Sequence, residues 1–398
     1  MSAEKTITKA KHSKIISDRA NKLSPSGIRK FFDLLASIEG VISLGVGEPD
    51  YATPWHICEA AVKSLEKGYT MYTSNSGIPE LRELTAAYMK DKYEIAYNPT
   101  GEILITVGVS EALDLAMRAI INPGDEVIMT DPHYVAYDSV VILAGGVPVM
   151  VPTYEKSGFE VDAADIEKKI TPKTRAILIG YPSNPTGAVM PKEKLEAIAE
   201  VARRRNIIVI SDEIYARLNY GAEHCCFAGL PGMQENTILL GGFSKAYAMT
   251  GWRVGYAMAP AEIIAAMTKI HQYTIMSAPT PAQVAAIEAL KTGEKDVVEM
   301  IEDYDRRRKV IVEGLGNIGL PCFEPKGAFY AFPSITRTGM TSEDFSEALL
   351  KEEKVAVVPG SAFGKCGEGY VRCCYATSLA DIEEALKRMG RFVERHGR

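Results

Sequence analysis

Short apolar runs recur along the first two thirds of the chain, separated by stretches whose apolar residues fall three and four positions apart. ILITV from residue 103, EVIMTD from 126, VPVMVPTY from 147, RAILIGYP from 175, NIIVISDE from 206 and TILLGG from 237 have the length and near-continuous apolar character of strands covered on both faces. Between them, ELRELTAAYMKDKY, SEALDLAMRAII and KEKLEAIAEVARRR carry the helical period and read as crossover helices. The alternation predicts an α/β protein with a mainly parallel central sheet. After residue 280 the texture changes: a long stretch of helix formers runs to EGLGNIG, and strand-like runs return only in GAFYAFPSI, KVAVVPG and GYVRCCYA. That change predicts a second, smaller α+β domain at the C-terminal end.

Composition narrows the possible functions. With 398 residues, 46% of them hydrophobic, the chain can bury a sizeable core. A net charge of −6 with no block of like charge argues against a nucleic-acid or anionic-membrane partner, and leaves open a small anion met by a local group of Arg and Lys. The N-terminal MSAEKTITKAKHSK is followed by no apolar stretch, and no segment reaches the roughly 18 apolar residues of a spanning helix. The expectation is a cytoplasmic protein without membrane contact. Seven cysteines, with no C-x-x-C pair and no metal-ligand spacing, suit a reduced compartment and read as small buried hydrophobes.

One motif misleads. Gly314, Gly316 and Gly319 in EGLGNIGLP match the dinucleotide-binding G-x-G-x-x-G, which requires a strand before it and a helix after it. A charged helical stretch precedes these glycines and Pro321 comes after them, so the end of a helix is the better reading.

The chemistry gathers where apolar runs end. In GGFSKAYAMTGWRVG, Lys245 stands among small and apolar residues with Arg253 eight positions on. Most lysines are solvated surface charges, but a desolvated one near other cations has a lowered pKa and can act as a nucleophile or form a Schiff base. Asp212 ends the strand run IIVISD, at the end where open α/β sheets bind ligands. It serves either as a cap for the next helix or as the partner of a protonated ring nitrogen. Asn184 lies in SNPTG after another strand, an ordinary Asx-Pro turn or a donor to a cofactor oxygen. Gly108, Val109 and Ser110 open a helix after ILITV, so that Ser110 is an N-cap or part of a phosphate site completed by Arg253. Arg372, set in the apolar pattern YVRCCYA, needs an anion.

The ordered stretches SLGVGEPD, YTSNSGIPELR, GYPSNPTG, SDEIY, FSKAYAMTGWRVG and GYVRCCYATS resemble the class I/II aminotransferases of fold type I, which depend on pyridoxal 5′-phosphate. The resemblance covers nearly the whole chain. It implies that Lys245 holds the cofactor as a Schiff base and moves the proton during transfer, while Asp212 pairs with the pyridine nitrogen. It implies further that Tyr215 and Asn184 bond the ring's phenolic oxygen and that Tyr134 stacks on the ring. Val109, Ser110, Ser244 and Arg253 hold the phosphate, with Tyr72 reaching in from a second subunit. Arg372 takes the substrate carboxylate, assisted by Asn184 and the Gly47 backbone. A homodimer with shared active sites results if Tyr72 crosses over. The implied layout is an N-terminal segment (1–50) packing with the small domain, a large cofactor-binding domain (51–290) and a small C-terminal domain (291–398).

SGIRKFFD near residue 26 and VAVVPGSAFGKCGEGYVR near 355 are most similar to archaeal aromatic aminotransferases of this family. Related aspartate aminotransferases often carry a lysine where this chain has Ser110, Gly242 replaces a phosphate-binding serine of some relatives, and Tyr134 replaces a common tryptophan. The resulting expectation is an aromatic or broad-specificity aminotransferase paired with glutamate and 2-oxoglutarate. The alternatives are an aspartate aminotransferase, a lyase expelling a β-thiol from the same carbanion, and a non-catalytic scaffold. The scaffold reading would need a lost lysine, and Lys245 is present.

Overall fold

The computed structural model describes residues 15–23 and 39–397. The resemblance drawn from SGIRKFFD, and most of the N-terminal segment, lie outside the described residues.

Among the described residues, twelve strands run in chain order: β1 (Ile42–Ser43), β2 (Ile103–Thr106), β3 (Glu126–Asp131), β4 (Val147–Pro152), β5 (Thr174–Ile179), β6 (Ile208–Asp212), β7 (Thr237–Gly242), β8 (Gly255–Met258), β9 (Tyr330–Ala331), β10 (Val355–Ala356), β11 (Val358–Pro359) and β12 (Val371–Cys374). The main sheet has the order β2-β8-β7-β6-β5-β3-β4, parallel throughout except for β8, which runs antiparallel to both β2 and β7. This is the mainly parallel sheet that the pattern predicts, in keeping with the fold type I that the resemblance implies. The six long apolar runs are all strands, and what the pattern misses is β8, whose GYAM is only four residues long.

The strands read as continuous apolar runs because helices cover both faces. All four residues of β2 and β8 are buried. The helix Gly108–Ile120 turns Ala112, Leu113, Leu115, Ala116 and Met117 inward, and the helix Lys192–Arg205 does the same with Leu195, Ile198, Ala199 and Ala202. Each large side chain buried this way contributes roughly 1.5–3 kcal/mol, so the carboxyl ends of the strands are held on a stiff base.

The smaller sheet β11-β12-β9 is antiparallel, and β1 pairs in parallel with β10. A second apolar core around Tyr304, Phe329, Phe345 and Phe392 lies beneath these strands. The 24-residue helix Glu294–Asn317 contains Gly314 and Gly316, and Gly319 comes next with φ +81°, in the left-handed conformation that ends helices. Gly314 packs so closely that a Cβ would stand 2.3 Å from Leu386 Cδ1. The glycine motif therefore belongs to a helix terminus, as its sequence context indicates. Among the described residues no helix is long and apolar enough to cross a membrane.

Candidate active site

The parallel strands all deliver their carboxyl ends to one edge of the sheet, and β8, running backwards, brings its amino end to the same edge. There Gly255 faces Thr106 of β2 on one side and Gly242 of β7 on the other. The segments that come after β2, β3, β5, β6 and β7 and before β8 thus converge on one cleft of about 560 Å³, lined also by residues 45–48, Tyr330 and Arg372.

Lys245 projects into this cleft, its Nζ 2.6 Å from the carbonyl of Gly47 and its charge over the rings of Tyr215 and Phe329, with Nζ 5.9 and 5.7 Å from their centroids. Desolvation brings its ammonium down to about 8, with Arg372 and Arg253 acting in the same direction and Cys374 and Glu48 opposing. The amine is therefore released at a lower pH than that of an ordinary lysine, so the neutral nucleophile costs less to form. The loop from Lys245 to Arg253 is pinned. Thr53 Oγ1 donates to the Ala248 carbonyl at 2.6 Å and accepts from Trp252 Nε1 at 2.9 Å. Ala248 and Arg253 both take positive φ, 51° and 54°, which costs a non-glycine residue about 1–2 kcal/mol and persists only where neighbours over-determine it.

Asp212 closes the floor at the end of β6. Burial pushes its carboxyl up to about 6, against the Tyr137 hydroxyl (2.8 Å) and the Ile214 amide (3.2 Å), which donate to it. It caps a turn rather than a helix, through the Ile214 amide, and it also lines the cleft. Gly180 is required here, since a Cβ would lie 2.3 Å from the Tyr137 hydroxyl. Tyr134 forms one wall, edge-on to Tyr137 at 5.6 Å.

At the other end of the cleft, Gly108 (φ +73°) starts a helix against the guanidinium of Arg253, whose Nη2 would stand 2.8 Å from a Cβ at that position. The N-cap position belongs to Val107, so Ser110 lies inside the first turn and is not the cap. Its side chain is one of the groups lining the cleft, as is Ser244. A guanidinium, a helix amino end and two hydroxyls around a space that only glycine leaves open form a cradle suited to a phosphate dianion.

Arg372, on β12, is 3% exposed and lies over two aromatic rings, with its guanidinium carbon 4.5 Å from the Tyr330 centroid and 4.9 Å from that of Phe363. Its Nη1 donates to Asn184 Oδ1 (2.9 Å) and its Nη2 to the carbonyl of Gly45 (2.7 Å), while its Nε is buried without a partner. The Gly45 carbonyl meets Arg372, while Gly47 lines the same cleft and its carbonyl accepts from Lys245. A side chain at Gly47 would strike the Tyr330 hydroxyl, 2.6 Å from its Cβ.

Of the residues singled out from sequence, Lys245, Asp212, Tyr215, Asn184, Tyr134, Val109, Ser110, Ser244, Arg253, Gly47 and Arg372 all line the one cleft. Tyr215 bonds there to the Tyr330 hydroxyl at 2.6 Å. Tyr72 does not reach the cleft of its own chain. It is 79% exposed on a loop fixed from both sides, by Thr280 Oγ1 on the Met71 carbonyl (2.7 Å) and Gln283 Nε2 on Thr73 Oγ1 (3.0 Å). Sequence reasoning missed Tyr137 and Tyr330. DPHYVAY offers two tyrosines three apart, and only the fold aims the second at Asp212.

The donor set is specific to one kind of ligand. A lysine whose ammonium is destabilised, a buried carboxylate in a cleft walled by an aromatic ring, a cradle suited to phosphate and a buried arginine fit pyridoxal phosphate with an amino acid beside it.

A family model described as aminotransferase class I and II matches residues 39–389. The chain is 48% identical over 377 residues to a Pyrococcus abyssi protein named aspartate aminotransferase, covering 94% of this chain and 97% of that one. It is 46% identical over 382 residues to an aromatic-amino-acid aminotransferase of Thermococcus litoralis, covering 95% and 98%. Among solved structures, an aromatic aminotransferase from Pyrococcus horikoshii superposes with a TM-score of 0.88 at 47% identity, covering 92% of this chain and 99% of that one.

Proposed function

Since the chain belongs to the class I and II aminotransferases and so transfers amino groups between amino and oxo acids, we propose that it does so with pyridoxal 5′-phosphate held in this cleft. We further propose that its substrates are aromatic amino acids, with glutamate and 2-oxoglutarate as the paired couple. The observation that carries the reading is the convergence of Lys245, Asp212, Arg253 and Arg372 on one cavity.

Each residue then has a task. Arg253, Ser244 and the helix start at Val109 and Ser110 would hold the phosphate, Asp212 the pyridine nitrogen, and Tyr215 and Asn184 the phenolic oxygen, with Tyr134 against the ring. Lys245 would anchor the aldehyde carbon through Nζ until the substrate amine replaces it. When bound, the cofactor supplies an electron sink for the charge left on the substrate's α-carbon. Lys245, whose surroundings disfavour the ammonium and bring it down to about 8, would take the α-proton on Nζ and hold it for return on the same face. Arg372 orients the substrate by its carboxylate, which points the α-hydrogen at Nζ.

The side-chain preference rests on the supply of cations. Among the described residues, those lining the cleft are Lys245, Arg253 and Arg372, and each already has a partner in this scheme. Ser110 offers a distal carboxylate no charge, and Glu48 in the wall disfavours one. Burying aspartate's short distal carboxylate without a cation is costly, whereas glutamate's longer chain lets its carboxylate reach water at the cleft mouth and a phenyl ring gains from Val46, Tyr134 and Val140. The test is a panel of amino acids with 2-oxoglutarate, following bleaching of the bound cofactor's visible band and the appearance of glutamate. Phenylalanine and tyrosine are expected to exceed aspartate in kcat/KM by roughly 100-fold. Faster turnover of aspartate would reassign the substrate, and pyruvate and ammonia formed without an acceptor would indicate a lyase.

The exposed loop supports a homodimer with shared sites. Met71, Tyr72 and Tyr273 (87% exposed) lie open, and Asn75 Nδ2 donates to the Met276 carbonyl at 2.7 Å, tying this loop to the segment that comes just after Tyr273. Such a surface calls for a partner. Sedimentation should give a particle of two 43.4 kDa chains. Tyr72→Ala should leave the dimer intact yet weaken cofactor binding about 10-fold, the value of one hydrogen bond to a charged group. A monomer at micromolar concentration would overturn this.

A further inference from the structure

Tyr330 contacts Arg372 and Tyr215 and lies beside the carbonyl that holds Lys245. Its ring stacks on the Arg372 guanidinium at 4.5 Å, its hydroxyl lies 2.6 Å from that of Tyr215, and the same oxygen is 3.5 Å from the Gly47 carbonyl on which Lys245 rests. It is 1% exposed at the start of β9, locked edge-on to Phe329 at a centroid distance of 4.9 Å, so its position is set by the core rather than by ligand. We infer that Tyr330 is a positioning residue with two separable functions, its ring holding the carboxylate clamp and its hydroxyl fixing the direction in which Tyr215 donates. The inference rests on the cofactor reading above.

The second function comes from hydrogen-bond accounting. A hydroxyl has one proton to give. If Tyr215 is to donate into the cleft, its oxygen must accept, and Tyr330 is the donor placed to satisfy it. The Gly47 carbonyl is a poor competitor for that proton, being farther away and already occupied by Lys245. Accepting a bond makes the Tyr215 proton a stronger donor, since hydrogen bonds in series polarise one another. A stronger donor stabilises negative charge on the cofactor's ring oxygen, so the proton shared there is released at lower pH. The groups facing this pair are Arg372, Lys245, Cys374 and, on the Tyr330 side, Tyr134. Burial pushes both tyrosines far above their ordinary range, so neither titrates in the range where the cofactor does.

The two functions separate in two variants. Tyr330→Phe keeps the ring and removes the hydroxyl, and Tyr330→Leu removes both. The experiment uses the cofactor-loaded protein and reads the pH midpoint of its visible band, together with the dissociation constant of 3-phenylpropionate, a carboxylate without an amine. Tyr330→Phe is expected to raise the midpoint by about half a pH unit while leaving the carboxylate constant within about 2-fold. Tyr330→Leu should raise the midpoint equally and weaken the carboxylate about 10-fold. An unmoved midpoint in Tyr330→Phe, in a protein whose wild type shows the band, overturns the role of the hydroxyl and leaves the cofactor reading standing. Equal carboxylate affinity in the Phe and Leu variants, both showing the wild-type circular dichroism, overturns the role of the ring. A wild type that never develops the band removes the premise and the inference together.

Discussion

Lys245→Ala is expected to lower kcat by roughly 10⁴-fold or more and to abolish the visible band of the bound cofactor, while the far-ultraviolet circular dichroism stays unchanged. The size reflects the two tasks assigned to one nitrogen. Proton transfer by a positioned base contributes about 10²–10⁴-fold, and loss of the covalent anchor adds to it. The fold should survive because Nζ makes one hydrogen bond, to Gly47, and an enclosed ammonium at its lowered pKa stabilises nothing that alanine would lose. Arginine at the same position restores charge but neither nucleophile nor base, and should be as inactive as alanine. Activity within about 10-fold of wild type in the alanine variant would remove Lys245 from the chemistry and the mechanism with it.

Arg372→Lys should reduce kcat/KM for phenylalanine by about 10²–10³-fold, corresponding to the roughly 2–5 kcal/mol lost when a desolvated, hydrogen-bonded charge pair is broken. Lysine retains the charge but not the planar fork, and the site is built for the fork. The guanidinium lies over the rings of Tyr330 and Phe363, Asn184 and Gly45 take one donor from each terminal nitrogen, and Nε is left buried without a partner. An ammonium placed there has three donors on one atom and cannot span Asn184, Gly45 and the substrate carboxylate together as the fork does. The control is 2-phenylethylamine, which lacks the carboxylate. Its slow reaction should be nearly the same in wild type and variant, so the discrimination between the two substrates should collapse. Equal losses on both would mean that Arg372 supports the cleft generally and does not read the carboxylate.

Much of this was legible in the chain because burial and charge leave marks in sequence. Six strands announce themselves as apolar runs too continuous for one-sided burial. Arg372 stands out because a charge amid VRCCYA needs an explanation, and Asp212 because it ends such a run. The features that remained hidden depend on neighbours distant in sequence. β8 is four residues entering after two turns, and its register comes from Gly255 fitting against the Gly108–Val109 backbone, where a Cβ would be 2.9 Å from Val109 N. Tyr137 and Tyr330 look like any core aromatics until the fold places one 2.8 Å from Asp212 and the other 2.6 Å from Tyr215. The choice between the Gly45 and Gly47 carbonyls is invisible in SLGVGEPD, because in an irregular segment no period assigns direction.

The reversed strand β8 also sets a rule about chain length. Lys245 and Arg253 are the two ends of a single excursion that leaves β7 and returns along β8, both strands being hydrogen-bonded in fixed register, Gly242 opposite Gly255. Adding or deleting one residue between them would not slacken a tether. It would move the arginine by a residue relative to the lysine, turning it away from Gly108 or forcing β8 out of register with both neighbours at once. Elsewhere, as in the exposed turn at residues 171–173, the chain can lengthen over the surface at little cost. Length variation among working relatives of this protein should therefore stop abruptly at the boundaries of this nine-residue loop, which acts as a ruler between the group that reacts and the group that anchors.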